Sequence, residues 1–360
     1  MIFGKRHTFA SGGRWDWRLL AVLAVLAIGA EIFAWQASRQ TARDSHPGQL
    51  GNTPAILARR PAPAADGTFS FAVFGDVQTG VPTFEDLASH LRTEYHFDFA
   101  IMIGDLVQHF SEIERRYFAA RLAATGITNP VLVVAGNHDL AEGTFPLAEF
   151  EQEYGPADIA FMHGGCQFIC LGRLVDEKYA TDSLAFLERA LRQDAGKARL
   201  RLLFMHYPPP AGEGYPNLHL PWGKALMELL ARYHVEYVFS GHKHRLLRYH
   251  HGATTFIGVG SSGAYMNRDA MPTDTGMFYH AMVVTVRPDG VSEDLLAYDD
   301  EADWSTAGSD LRQLVVCKLM PLLQKRPALT LIVNLLLAGG LVLALLRLRR
   351  KPVAAPETTP

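Results

Sequence analysis

The chain has 360 residues, too long for one minimal domain and suited to one large domain with attachments. Its 34 Lys and Arg against 37 Asp and Glu leave a formal net charge of -3, so no global basic field points to nucleic acid as the main partner. Hydrophobic residues make up 48% but are unevenly spread, and the three cysteines, Cys166, Cys170 and Cys317, show no disulfide framework. With residues 166–170 in a strand, the first two Cα atoms lie about 13 Å apart, against the roughly 5.5 Å a disulfide needs.

Residues 1–17 form a tail with Lys5, Arg6 and Arg14. Residues 18–36 follow with the run LLAVLAVLAIGAEIFAW, long enough to cross a bilayer, which takes about 20 mostly apolar residues. Trp15, Trp17 and Trp35 stand where interfacial aromatics are expected. A cleaved signal peptide is the rival reading, but Trp35 is badly placed for cutting after Ala37. Residues 37–68, rich in Ala, Pro, Gly, Arg and Gln without apolar periodicity, read as a linker.

Residues 69–300 alternate short β-branched or aromatic runs with amphipathic stretches, which predicts a layered α/β domain. Strands are expected at 69–74, 97–103, 131–135, 167–171, 200–205, 235–239 and 254–259, with a last hairpin of 281–286 and 295–297. Helices are expected at 84–95, 112–123, 183–194 and 223–233. Residues 301–327 form a second linker, in which Leu311, Leu314, Val315, Leu319 and Leu322 have the spacing of an interfacial helix. Residues 328–346 predict a second transmembrane helix, the alternative being a buried core helix. Residues 347–360 are a tail that opens with Arg347, Arg349, Arg350 and Lys351. Basic clusters on the distal side of each span place both tails in the cytoplasm, although Arg39, Arg43, Lys325 and Arg326 count against this. The expectation is an integral protein of a bacterial inner membrane with residues 69–300 on the extracytoplasmic side. The bacterial source rests on Ala, Leu and Arg usage.

Five expected strands end in potential metal ligands. The first runs into Gly75-Asp76-Val77-Gln78, the second into Gly104-Asp105, and the third into Gly136-Asn137-His138-Asp139. The strand at 200–205 delivers His206, and the strand at 235–239 runs into Ser240-Gly241-His242-Lys243-His244. Open α/β sheets bind ligands beyond the carboxyl ends of their strands, so these loops are expected to converge. Carboxylate, imidazole and amide oxygen together suit divalent Mn, Fe, Zn or Co. A shared carboxylate can hold two such ions about 3.5–4 Å apart and clamp a phosphoryl oxygen.

Gly104-Asp105, Gly136-Asn137-His138-Asp139, His206 before Tyr207-Pro208-Pro209, and Gly241-His242-Lys243-His244 together resemble the calcineurin-like metallophosphoesterase motifs in that family's order. The resemblance covers about residues 69–300. It implies two mixed β-sheets sandwiched between helices, two divalent metal ions, and in-line hydrolysis of a phosphomonoester or phosphodiester. It implies that Asp76, Gln78 and His244 hold one metal, that Asn137, His206 and His242 hold the other, and that Asp105 bridges them. His138 would contact the phosphate and protonate the leaving oxygen, with Asp139 orienting it. Gln78 departs from the family, which usually has His there; its neutral oxygen favours Mn. Gln108 stands where the family often has an acidic residue or Asn. Purple acid phosphatases match less well, because their second motif carries a Tyr ligand.

Taken singly, the same residues have plainer readings. Asp76 or Asp105 could cap a following helix or turn, Asn137 could sit in a turn, and lone histidines are more often surface or loop residues. It is their joint occurrence at five strand ends that points to a metal site. His250 and His251 read as solvated hairpin residues, while Tyr215, His219 and Trp222 either touch substrate or pack their loop. The spans favour a lipid or lipid-linked substrate over a soluble nucleotide or sugar phosphate. A metal-binding scaffold without catalysis is the rival class, and the presence of His138 and Asp139 speaks against it.

Overall fold

The computed structural model describes residues 22, 24–29, 32, 48–140, 145–193, 196–209, 220–266, 276–298, 311–319 and 327–349. Eleven strands are described: β1 (Phe69–Phe74), β2 (Phe99–Ile103), β3 (Val131–Val134), β4 (Asp158–His163), β5 (Cys166–Leu171), β6 (Leu200–Met205), β7 (Tyr237–Ser240), β8 (Leu247–His251), β9 (Thr254–Gly258), β10 (Tyr279–Arg287) and β11 (Gly290–Tyr298). They form a five-stranded sheet ordered β11-β10-β1-β2-β3 and a six-stranded sheet ordered β4-β5-β6-β7-β9-β8. In the first, β1, β2 and β3 run parallel while β10 and β11 are antiparallel. In the second, β5, β6, β7 and β9 run parallel and both edge strands are antiparallel. Both sheets are therefore mixed, as the resemblance implied.

The hydrophobic residues explain the layering. Phe71, Phe99, Phe168, Phe204 and Phe239 belong to one buried cluster contributed by both sheets. Phe204 stacks on Phe239 at 5.0 Å and on Phe168 at 5.9 Å. A second cluster joins Leu203, Met205 and Val238 to Leu187 and Leu191 of the helix Ala180–Gln193 and to Leu226 and Leu230 of the helix Gly223–Arg232. The second sheet is thus buried on both faces, which is why β5, β6 and β7 read as continuous apolar runs. The helices Val81–Glu94 and Glu112–Ala124 belong to the first half of the domain, and Phe84 meets Phe118 between them at 5.4 Å.

The expected linker at 37–68 is partly domain structure. Asn52 is buried; its side chain donates to Val133 O at 2.7 Å and Pro156 O at 2.9 Å and accepts from Val133 N at 2.9 Å. Val131 N donates to Gln49 O at 2.7 Å, and Gly51 N donates to Val131 O at 2.9 Å. Residues 49–52 therefore pair with the free edge of β3. A short helix, Pro54–Leu57, follows and buries Ile56. One polar side chain and two backbone hydrogen bonds do the joining, so apolar periodicity gave no sign of it.

Residues 40–317 form one compact unit, and residues 1–39 with 318–360 form another. In the second unit a 23-residue helix spans Pro327–Arg349, and residues 22, 24–29 and 32 are helical. Among the described residues no helix is long and apolar enough to cross a membrane, so neither expected span is established. Residues 1–21, 33–47 and 350–360 lie outside the described residues, as do Tyr215 and His219. In the stretch expected as an interfacial helix, Leu311–Leu314 is α-helical and Val315–Leu319 a π-turn; Gln313, Val315, Val316 and Cys317 are buried while Leu314 is exposed.

Candidate metal centre

The carboxyl ends of β1, β2 and β3 supply Asp76, Asp105 and Asn137, and those of β6 and β7 supply His206, His242 and His244. The site is thus shared between the two sheets. Six non-glycine residues among those described have a left-handed φ: Asp76 (51°), Gln78 (49°), Asp105 (54°), His234 (52°), His242 (70°) and His244 (51°). Five of the six are expected ligands. Such conformations cost about 1–3 kcal/mol each and persist only where surroundings over-determine them. Crowding explains two motif glycines. A Cβ on Gly104 would sit 2.4 Å from His206 Nδ1, and one on Gly136 would sit 2.2 Å from Asp105 Oδ1.

Ligand atoms of Asp76, Asp105 and His244 all lie within 4.8 Å of one another. His244 Nε2 is 3.5 Å from Asp76 Oδ1, while its Nδ1 is 3.1 Å from Tyr265 O. The backbone carbonyl requires a proton on Nδ1, so in the neutral ring Nε2 presents a lone pair to the carboxylates. His206 repeats the arrangement. Its Nδ1 is 2.8 Å from Ile103 O, and its Nε2 is 2.9 Å from Asn137 Oδ1 and 3.5 Å from Asp105 Oδ1. His242 Nδ1 is 2.7 Å from the same Asn137 oxygen. For His206 and His244, whose Nδ1–H is committed to a carbonyl, the Nε2 lone pair faces oxygen lone pairs with no proton between them, an arrangement that calls for a cation. The donor set therefore fits two divalent ions, with Asp105 reaching both groups.

The electrostatics favour positive charge beside Asp76 and Asp105 and a neutral ring at His242. Burial pushes Asp105 up, but the His206 imidazole and the His138 amide outweigh it and hold its carboxyl below the usual range. Burial, with His206 beside it, pushes His242 down to about 3, leaving it neutral and able to ligate. For His244, burial pulls down but the Asp76 carboxylate outweighs it, and the net shift is upward.

Gln78 is buried, with Nε2 3.0 Å from Asp105 Oδ2; the amide turned over would present Oε1 to the same place. Gln78→His is expected to tighten Zn at this group on the order of tenfold, as a softer imidazole replaces an amide. Competition against a chelator-buffered Zn series measures this. An unchanged metal preference would mean that Gln78 is no ligand.

His138 lies beside the group. Its amide donates to Asp105 Oδ1 at 2.8 Å, and its ring Nδ1 is 3.1 Å from Gln108 O and 2.9 Å from the Gln108 side-chain amide. Nδ1–H can donate to that carbonyl once the Gln108 side-chain amide is turned over to present Oε1, and Nε2 is then held by neither Gln108 group. Asp139 was expected to orient His138. Its carboxylate instead accepts from Gly136 N at 2.8 Å and Asp105 N at 3.0 Å, which fixes the two metal loops together, and Gln108 is the residue that backs His138. Burial and the Asp105 charge push the Asp139 carboxyl up.

Several supporting residues escaped the sequence reading. Ser261 Oγ donates to Asp76 O at 3.0 Å, Ala264 N to the same oxygen at 2.7 Å, and Ser262 N to Gly75 O at 2.9 Å. Gly260-Ser261-Ser262-Gly263 after β9 was the available signal, a small-residue loop where another backbone must approach. His280 accepts from Gly260 N at 2.8 Å, and burial pushes it down to about 4, keeping it neutral for that role. Trp222 packs in the core beside the helix Gly223–Arg232, and His250 and His251 are exposed on edge strand β8.

Residues 69–246 match the family model described as calcineurin-like phosphoesterase. They belong to that family. The chain is 29% identical over 170 residues to a zebrafish protein named serine/threonine-protein phosphatase CPPED1, covering 41% of this chain and 54% of that one. It is 26% identical over 161 residues to a probable cyclic nucleotide phosphodiesterase of Xenorhabdus bovienii, covering 43% and 64%. The alignments thus span less than two thirds of either relative's length. A purple acid phosphatase from yellow lupin seeds has the same fold at 18% identity and a TM-score of 0.52, over 67% of this chain and 54% of that one.

Proposed function

We propose that the protein is a membrane-held phosphoester hydrolase that works with two divalent ions. The observation that carries this reading is the convergence of Asp76, Asp105, Asn137, His206, His242 and His244, with lone pairs directed at two positions, beside a histidine free to donate a proton. Such ions, when bound, supply an activated water and neutralise phosphoryl charge. In its doubly protonated form, His138 would give its Nε2 proton to the leaving oxygen while Nδ1–H stays on Gln108 O. Gln78, as a neutral oxygen ligand, favours Mn or Mg over Zn at the first position.

The membrane part of the proposal rests on the helix Pro327–Arg349. Leu331, Ile332, Leu335, Leu336, Val342 and Leu343 are all exposed on it, which is unfavourable in water and expected in lipid. The basic clusters at each end of the chain favour a catalytic domain outside the bacterial cytoplasm. A domain tied to a bilayer gains effective concentration for a substrate in the same surface, so the substrate is proposed to be a lipid headgroup or lipid-linked phosphoester.

The similarity to a probable cyclic nucleotide phosphodiesterase favours a soluble nucleotide as the second reading. Full-length protein in liposomes separates the two. Lipid phosphoesters in the same vesicles are expected to give the higher kcat/KM than water-soluble esters of the same headgroups, and chelation is expected to stop both reactions. A soluble nucleotide or sugar phosphate as best substrate would end the lipid proposal; metal-free protein with full activity would end the whole reading.

A further inference from the structure

The loop after β1 carries Asp76 and Gln78, both left-handed, and its backbone is held at every point. Asp76 N donates to Gly104 O, and Val77 N and Gln78 N donate to Asp105 O, at 3.0, 2.9 and 3.1 Å. On the carbonyl side, Gly75 O and Asp76 O are taken by the loop at 261–264, and Val77 O by Gly80 N at 2.9 Å. Gln78 O is the exception in origin. It accepts at 3.2 Å from Gln313 Nε2, 235 residues further on. Gln313 is 6% exposed, and its Oε1 has no hydrogen-bond partner. A half-satisfied buried amide costs stability, so its retention requires a reason. Turning the amide over would set two oxygens against each other, so the donor must face Gln78. Val315, Val316 and Cys317 are buried just beyond it, fixing the segment that carries it.

We propose that Leu311–Leu319 is a latch on the first metal position. Gln313 is its positioning residue: it holds the Gln78 carbonyl, and with it the left-handed backbone from which the Gln78 side chain reaches the ion. The inference rests on Gln78 being a ligand.

The experiment is Mn²⁺ titration by calorimetry on the full-length protein in detergent, together with thermal unfolding of metal-free protein. Gln313→Leu is expected to weaken one of two Mn²⁺ equivalents by about 10–100-fold, the range for residues that orient ligands, and to leave the other unchanged. Gln313→Glu keeps length but loses the donor, and the same one-site loss is expected; it serves if the leucine variant does not fold. In a Gln78→Ala background, Gln313→Leu is expected to add nothing, since the two act through one ligand. Equal weakening of both equivalents with a lowered unfolding temperature, additive losses in the double variant, or unchanged affinity would each overturn the latch. Wild-type protein that binds no Mn²⁺ would instead overturn the metal reading beneath it.

Discussion

His138→Ala is expected to keep both metal equivalents and to lose about 10²–10⁴-fold in kcat on an ester with a poor leaving group. His138 makes no contact that the two ligand groups need: its ring is held by Gln108, and only its backbone amide touches Asp105. The alanine variant retains that amide. A p-nitrophenyl ester, whose leaving group departs without a proton, should lose far less. The ratio of the two losses is the measurement. Equal losses on both esters would assign His138 to phosphate binding rather than proton donation.

Asp105→Asn is expected to lose at least about 10³-fold in kcat/KM, equivalent to roughly 4 kcal/mol of transition-state stabilisation. The Asp105 carboxylate faces both ligand groups, accepts from His138 N and sits beside Gln78 Nε2. Asparagine would remove the negative charge that the two ligand groups share and set an N–H₂ toward one of them. Metal analysis should then find fewer than two equivalents per chain. Two equivalents with normal affinity would remove Asp105 from the bridging position.

The candidate ligand set was legible because its members follow short runs of apolar, often β-branched residues, which suit buried strands. Val131–Val134 before Asn137 and Leu200–Met205 before His206 are clear cases. Edge strands β4 and β8 were not legible. Asp158–His163 alternates imperfectly, and Leu247–His251 reads LRYHH, mostly exposed, with its identity set by pairing to β9. Strand starts slipped by two residues at β2 and β7. Phe97 and Val235 are buried, but in the irregular segments that enter those strands, and burial alone does not distinguish the two. Asn52, Ser261 and Gln313 were invisible for a different reason: each acts through one hydrogen bond network to a distant backbone, which leaves no periodic trace in the chain.

The pairing of residues 49–52 with β3 has a bearing on aggregation. Val131–Val134 is an all-apolar strand at the end of its sheet, the kind of edge that recruits other chains into extended β-structure. Gln49, Gly51 and the Asn52 amide occupy the N–H and C=O groups of both Val131 and Val133. The chain thus shields its stickiest edge with a segment that lies before the first strand. In the growing polypeptide that shield is made well before the edge it covers, so β3 meets its cover as soon as it emerges, and a chain trimmed past Asn52 would carry the bare edge into every encounter with its own kind.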